Sequence, residues 1–436
     1  MKRLAPVVAP GSLLLAASFG FAPLRLAPLA TPRPDFAGLY RDAPALALDT
    51  RREGDSLRLY LRLPAPARLG PGHALRVALW PSYEAKAPLW QDSVARRAQH
   101  PRPAPDGSGG VLLSFCLSAA QLPAGAVLQV SAAPPDARDA YQEPGTTAWL
   151  RLTEATLARP FVLTDSAGQP LQRRYLRAGE TFGVENYGLL QPVRWKRYAV
   201  NPLPALPPMT NAAAMPAGPR TLPVLDSAEA RPGQPLRFPE PGLYALKVGG
   251  VGGIAPRTLA VLVAPNAYPA LSTAAELIEP LRYLTTSQER QRLTDAPDPK
   301  RAVDKFWLDI AQGNQRLGKE LIKSYYGRVS AANRLFAAHK AGWLTDKGLL
   351  YVVVGPPPGV RRLADGEERW YYPDGGPTGG PVTYTFRPRP STFAPDYYEL
   401  VRRPEYELLW YAAVEKWRTP PTALTDPNVP SDLPAR

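Results

Sequence analysis

Ala341-Gly342-Trp343-Leu344-Thr345-Asp346-Lys347-Gly348 runs directly into Leu349-Leu350-Tyr351-Val352-Val353-Val354 and then Gly355-Pro356-Pro357. Read with its flanks, this stretch predicts the end of a helix, a tight polar corner, an apolar strand and a rigid exit. Gly342 suits the left-handed conformation that closes a helix. Trp343 is expected to fold back over that end as an apolar cover. Asp346 is expected to accept backbone N–H bonds while Lys347-Gly348 turns the chain. Residues 349–354 are apolar on both faces, which predicts a central, covered strand. Pro356 and Pro357 end it, because proline offers no backbone donor.

Upstream, Leu317, Leu321, Tyr325, Val329, Ala332 and Phe336 recur at helical spacing and form one apolar stripe. Before them, Asp298 can cap a helix that has Pro299 at its first position and carries Phe306, Trp307 and Ile310. Gly313 interrupts the two helices. Ala274, Leu277, Leu281 and Leu284 mark an earlier helical segment. Downstream, 369–372, 382–386 and 397–401 read as strands and 405–418 as a last helix. These elements define an α+β domain over 270–418, followed by a disordered tail at 419–436.

The N-terminal half has the other periodicity. Leu57-Arg58-Leu59-Tyr60-Leu61-Arg62-Leu63 alternates strictly, placing four leucines on one face. Residues 74–80, 111–117, 126–131 and 147–152 are further strands, separated by proline-rich breakers. A second group runs through 161–164, 173–176, 181–185, 193–198, 241–248 and 257–263. Proline is unusually common at 54 residues, which favours many short strands and turns over a helix bundle. The reading is multidomain: two antiparallel β-sandwich units of immunoglobulin-like type, 35–152 and 155–265, ahead of the α+β domain. The Pro- and Ala-rich stretch 201–223 is expected to be a long loop within the second unit.

Composition narrows the function classes. The net charge is +14, but it is spread over scattered pairs such as Arg51-Arg52, Arg173-Arg174 and Arg402-Arg403. Nucleic-acid binding calls for clustered cations, so it is not expected. The single cysteine, Cys116, excludes an intrachain disulfide and a thiolate metal site. Its place in an apolar strand predicts a small buried hydrophobe. His73, His100 and His339 are far apart and lack metal-ligand spacing. His339 falls at a helix end, where a positive charge would suit the dipole. Gly375-Gly376 and Gly379-Gly380 fit neither phosphate-binding glycine pattern. No cofactor and no metal are expected.

Lys2 and Arg3 precede an uncharged stretch, 4–24, with its apolar core at 12–17. This predicts a secretory signal peptide, or an uncleaved N-terminal anchor, within 1–34. Cleavage after Ser18, Gly20 or Ala22 is conceivable. No cysteine follows the apolar run, so a lipoprotein anchor by that route is not expected. Elsewhere no segment is long and apolar enough to span a bilayer. The expected location is outside the cytoplasm: periplasmic, envelope-associated or secreted.

Gly342-Trp343-x-Thr345-Asp346 resembles the motif that names the GWxTD domain of exported bacterial proteins. The surroundings agree: Tyr325-Tyr326 and Asn333-Arg334-Leu335-Phe336 upstream, then Gly355-Pro356-Pro357 and Glu368-Arg369-Trp370-Tyr371-Tyr372-Pro373 downstream. The resemblance covers about 270–418. After Phe306-Trp307 the chain departs from the proline-containing segment usual in relatives. The resemblance implies an envelope protein with β-sandwich domains before the motif; the family's activity is not established, so no catalytic role is carried over from it.

The remaining candidates are carboxylates and aromatics. Asp346 and Glu368 are the weak catalytic pair, since a polysaccharide hydrolase needs two carboxylates across a cleft. A turn or cap role accounts for Asp346, and Glu367 and Glu368 are expected to be solvated at a strand start. Trp370, Tyr371, Tyr372, Tyr384 and Tyr397 are binding candidates, because Tyr and Trp offer contact area at low entropic cost. Alternation puts Trp370 and Tyr372 on one face and Tyr371 on the other, so one set should be core. The reading is therefore an exported, non-enzymatic envelope protein whose C-terminal module binds a protein or glycan. The alternative is a carboxylate-dependent hydrolase of cell-wall or surface polysaccharide. Membrane contact is expected only through the N-terminal segment, if uncleaved.

Overall fold

The computed structural model describes residues 34–41, 46–64, 75–94, 102–104, 110–132, 147–188, 191–200, 203–211, 222–249, 256–373 and 380–419. The signal or anchor expected within 1–34 lies outside these residues except for Pro34. So do His73, His100, the glycines at 375–379 and the tail from 420 onward.

Alternating leucines build the first part. Its strands are β1 (Ala47–Glu53), β2 (Ser56–Leu63), β3 (Leu75–Trp80), β4 (Trp90–Val94), β5 (Arg102–Pro103), β6 (Val111–Ser118), β7 (Val127–Ser131) and β8 (Thr147–Arg151). They form two antiparallel sheets ordered β1-β2-β6-β5 and β4-β3-β7-β8. Leu57, Leu59, Leu61 and Leu63 of β2 all point into a core shared with Leu75, Val77 and Leu79 of β3. Cys116 corrects the sequence reading. It pairs with Arg58 across β2 and β6, on the face away from that core, and is exposed. The apolar run 111–117 hid the alternation that turns position 116 outward.

A short helix, α1 (Glu154–Ala158), leads to β9 (Phe161–Thr164), β10 (Tyr175–Arg177), β11 (Thr181–Asn186), β12 (Val193–Tyr198), β13 (Val224–Ala230), β14 (Leu236–Arg237), β15 (Gly242–Val248) and β16 (Arg257–Ala264). One sheet runs β10-β16-β15-β12-β13 and the other β14-β11-β9. Among the described residues only β10 and β16 pair in parallel. Phe161, Phe182, Phe238, Tyr244 and Leu246 fill the core between them. Residues 203–211 of the expected loop are irregular, yet they are pinned to the C-terminal region. Ala205 N donates to Leu344 O at 2.9 Å, and Arg403 N donates to Pro208 O at 3.1 Å.

The C-terminal region is helical with one further sheet. Its helices are α2 (Ala274–Ile278), α3 (Ser287–Thr294), α4 (Pro299–Ile310) and α5 (Gln315–Phe336). Asp298 caps α4 by accepting from Arg301 N at 3.0 Å, with Pro299 in the first turn. Gln312 and Gly313 take positive φ of 51° and 81°, which separates α4 from α5. Tyr325, Val329, Ala332 and Phe336 line the buried side of α5.

The decisive stretch is not a strand. Asp346–Val353 is a helix, α6, and every one of its residues is buried. Gly342–Leu344 before it is a single 3-10 turn. A short run that is apolar all round fits a covered strand and a covered helix equally, so periodicity alone cannot separate them. Lys347 and Gly348 lie in the first turn of α6 instead of forming a turn into a strand. After α6 come β17 (Gly359–Arg362), β18 (Glu368–Tyr372), β19 (Val382–Pro388), β20 (Tyr398–Leu400) and α7 (Glu407–Arg418). The four strands form one antiparallel sheet in sequence order. Its inner face supplies Val360, Trp370, Tyr384 and Phe386 to the core around α6.

That core reaches far along the chain, taking in Phe36 and Tyr40 as well as Trp80 and Tyr83. Among the described residues no helix is long and apolar enough to cross a membrane.

The core assignment makes a paired prediction. Leu61→Ala should lower unfolding free energy in denaturant by about 2–5 kcal/mol. Cys116→Ala should change it by no more than about 0.5 kcal/mol, because the side chain is exposed and its thiol makes only a long contact to Glu53 Oε2 at 3.8 Å.

Candidate functional site

Each residue of the motif has a packing role. Gly342 does not adopt a left-handed backbone, contrary to the expectation from sequence. A Cβ there would lie 2.0 Å from Ala332 O, and one at Gly348 would lie 1.9 Å from Gly342 O. The 3-10 turn is thus wedged between the end of α5 and the start of α6, backbone against backbone. Trp343 is buried, as expected of a cover. Its backbone N–H donates to Asn333 Oδ1 at 3.2 Å, and its backbone carbonyl accepts from Tyr283 OH at 3.2 Å. Thr345 is the N-cap of α6: Gly348 N donates to its Oγ1 at 3.1 Å.

Asp346 sits in the first turn of α6, where a negative charge suits the helix dipole. It accepts from Leu400 N at 2.9 Å and from Arg402 Nη2 at 2.6 Å. The carboxylate therefore ties α6 to β20. The other end of α6 is closed by side chains. Arg328 Nη1 donates to Val352 O at 3.3 Å and Trp417 Nε1 to Val353 O at 3.0 Å. Tyr372 OH donates to Gly355 O at 2.8 Å. Gly355 has φ +115°, and a Cβ there would meet the Arg328 guanidinium at 3.2 Å. The motif glycine leaves room for the arginine that caps the helix.

Glu368 corrects the expectation of a solvated side chain, being 0% exposed. Its Oε1 accepts from Tyr40 OH at 2.6 Å, Trp370 Nε1 at 2.7 Å and Lys347 Nζ at 2.9 Å. Its Oε2 accepts from Arg362 Nε at 3.0 Å. Burial alone would raise its pKa, but the charges of Lys347 and Arg362 and the hydrogen bonds from Tyr40 and Trp370 hold it at about 2. Burial pulls Lys347 down to about 8, with Glu368 opposing the shift. The Lys347 ammonium also lies 3.7 Å from the Tyr398 ring centroid. Glu367, the neighbour, is largely covered as well. It bridges Arg387 at 2.9 Å and Arg369 at 3.3 Å.

The catalytic candidates are thus separated by function. Asp346 fixes β20 to α6, and Glu368 sits in a different, sealed set of donors. Of the binding candidates, Trp370, Tyr372 and Tyr384 are core. Tyr397 stacks edge-on against His339 at 4.8 Å. Burial lowers the pKa of His339 to about 4, so it is neutral near pH 7 and brings no charge to the end of α5. Only Tyr371 faces outward. It lies beside a polar depression of about 620 Å³ on the outer face of the β17–β20 sheet, lined by Arg369, Arg387, Arg403, Thr383 and Thr385 among others. Arg361 reaches over the Tyr371 ring at 5.2 Å.

Sequence reasoning missed these arginines and threonines. The alternation within 368–372 and 382–388 carried that signal, since every second residue there faces out. Nothing local could have found Tyr40, which is 328 positions from Glu368. Among the described residues no three His, Cys, Asp or Glu side chains converge as metal ligands.

Residues 242–419 match the family model of the GWxTD domain. No curated protein matches the chain. Solved structures that resemble it include "Anomalous substructure of Titin-A168169", at 14% identity, covering 51% of this chain and 96% of that one, with TM-score 0.13. Another is "Crystal structure of Dpr2 Ig1-Ig2 in complex with DIP-Theta Ig1-Ig3", at 13% identity, covering 51% and 99%, with TM-score 0.16. A third is "Marsupial T cell receptor", at 13% identity, covering 52% and 75%, with TM-score 0.15. Scores this low carry no argument. The chain is a GWxTD domain-containing protein by the match over 242–419.

The Glu368 cluster predicts both a stability loss and a pH signature. Removing one partner of a buried ion pair strands the others, so Glu368→Gln should cost roughly 3–5 kcal/mol. A carboxylate held at about 2 when folded contributes stability above its ordinary pKa and loses it as pH falls toward 2. Denaturation curves from pH 6 to pH 2 should show this acid loss in the wild type and a shallower one in the variant.

Proposed function

We propose that this GWxTD domain-containing protein is an exported, non-enzymatic protein of a bacterial envelope. Its two N-terminal β units are immunoglobulin-like sandwiches that space or dock the molecule. Its C-terminal module binds a protein or glycan partner. The observation that carries the binding role is the division of the C-terminal sheet into two faces. The inner face spends Trp370, Tyr372, Tyr384 and Phe386 on the core. The outer face leaves Tyr371, Thr383 and several arginines around an open depression.

The hydrolase alternative finds less support. A general acid or nucleophile must reach substrate, whereas Glu368 is enclosed by four donors and Asp346 is buried against Arg402 and Leu400 N. Neither lines the depression. Export is supported by Lys2 and Arg3 ahead of an uncharged, partly apolar stretch.

The test is sedimentation of the purified full chain with isolated bacterial envelopes. Wild type should co-sediment, and Tyr371→Ala should release at least tenfold more protein with an unchanged melting curve. Equal retention of the two would remove this face from the binding role. Failure of the wild type to sediment would remove the envelope partner.

A further inference from the structure

We infer that the outer face of the β17–β20 sheet recognises a carboxylate-bearing saccharide chain; this rests on the binding role proposed above. The argument is one of unbalanced charge on a face that otherwise offers hydroxyls. Register places Arg361 opposite Arg369, and Arg369 opposite Thr385. Tyr371 lies opposite Thr383 in the adjoining row. Arg387 and Arg403 complete the rim. Two carboxylates line the depression beside its three arginines: Glu367 is shared between Arg369 and Arg387, and Asp365 Oδ1 accepts from Glu367 N at 2.8 Å. Among the described residues Arg361 has only the Tyr371 ring as a partner. Among the described residues Arg403 bonds through its backbone alone, its N–H donating to Pro208 O and its carbonyl accepting from Tyr406 N. The buried Nε of Arg369 has no hydrogen-bond partner.

Guanidinium groups present a planar fork that matches a carboxylate with two parallel hydrogen bonds. Neighbouring strands lie about 4.8 Å apart, and alternate residues along one strand about 6.8 Å apart. Arg361, Arg369 and Arg403 are therefore spread across the face, so a ligand must offer several carboxylates along its length instead of one. Between the arginines the face offers Thr383, Thr385 and the Tyr371 ring, which suit sugar hydroxyls and a sugar face. Val401 is the one aliphatic residue lining the depression, so the apolar slots that select peptide side chains are missing. The chemistry favours a uronate polymer over an acidic peptide.

The experiment uses the full chain and four fluorescent probes of equal length. They are an oligouronate, its neutral oligosaccharide counterpart, a sulfated oligosaccharide and oligoglutamate. Binding is followed by anisotropy at low and moderate salt. The oligouronate should bind tightest, and Arg361→Ala/Arg403→Ala should weaken it at least tenfold with an unchanged melting temperature. Arg361→Lys/Arg403→Lys keeps the charge and loses the fork, and should recover less than half of the lost binding energy. Tighter binding of oligoglutamate or the sulfated probe would overturn the carboxylate-saccharide assignment. So would equal binding of the neutral probe, although that result would leave the glycan-binding role standing. Oligouronate binding untouched by the double alanine variant would move the site elsewhere and refute the inference. No binding of any probe would refute it too, while envelope co-sedimentation would still report on the broader reading.

Discussion

The C-terminal region depends on a helix that is buried along its whole length. All eight residues of α6 are buried, so the orphan backbone groups at its ends need partners from the protein itself. At the start, Thr345 caps the helix and Asp346 reaches across to Leu400 N. At the end, Arg328 and Trp417 satisfy the last carbonyls and Tyr372 holds Gly355 O. The motif residues are the side chains and small backbones that make such a helix possible. Gly342 and Gly348 let three backbone segments meet where no Cβ would fit. The polar corner is therefore explained by burial and backbone satisfaction.

Burial of α6 also puts charge where it must be balanced. Lys347 points inward from a covered helix, and desolvating its ammonium is costly unless a counter-ion is supplied. Glu368 supplies it, and Arg362, Tyr40 and Trp370 occupy the remaining lone pairs. Tyr40 comes from the first described segment of the chain, whose Phe36 N also donates to Val360 O at 3.0 Å. The GWxTD domain is thus finished by a residue from outside its own 242–419 span. The binding face we propose lies on the opposite side of the same sheet, where three arginines and two carboxylates line an open depression.

Much of this was legible in the residues. Strict alternation at 57–63 gave the first sheet, and Asp298-Pro299 gave the start of α4. The apolar stripe from Leu317 to Phe336 gave α5, and Trp343 was recognisable as a cover. What failed did so for physical reasons. Residues 349–354 have no polar face, so neither period can appear in them. Cys116 was hidden in a run of apolar neighbours. Glu368 looked like a surface acid because its partners, Tyr40 and Lys347, arrive through tertiary contact alone. The outer face was hidden because its arginines and threonines are scattered over three strands and β20's exit, and three of the five aromatic candidates are core.

The central claim is that α6 is locked at both ends and opens only when the whole domain unfolds. Native-state hydrogen exchange of the Leu349–Val353 amides measures this directly. The account predicts opening free energies equal to global stability, falling in step with it as denaturant is added. Exchange of these amides through a local opening, several kcal/mol below global unfolding and insensitive to denaturant, would show a mobile corner and contradict the account.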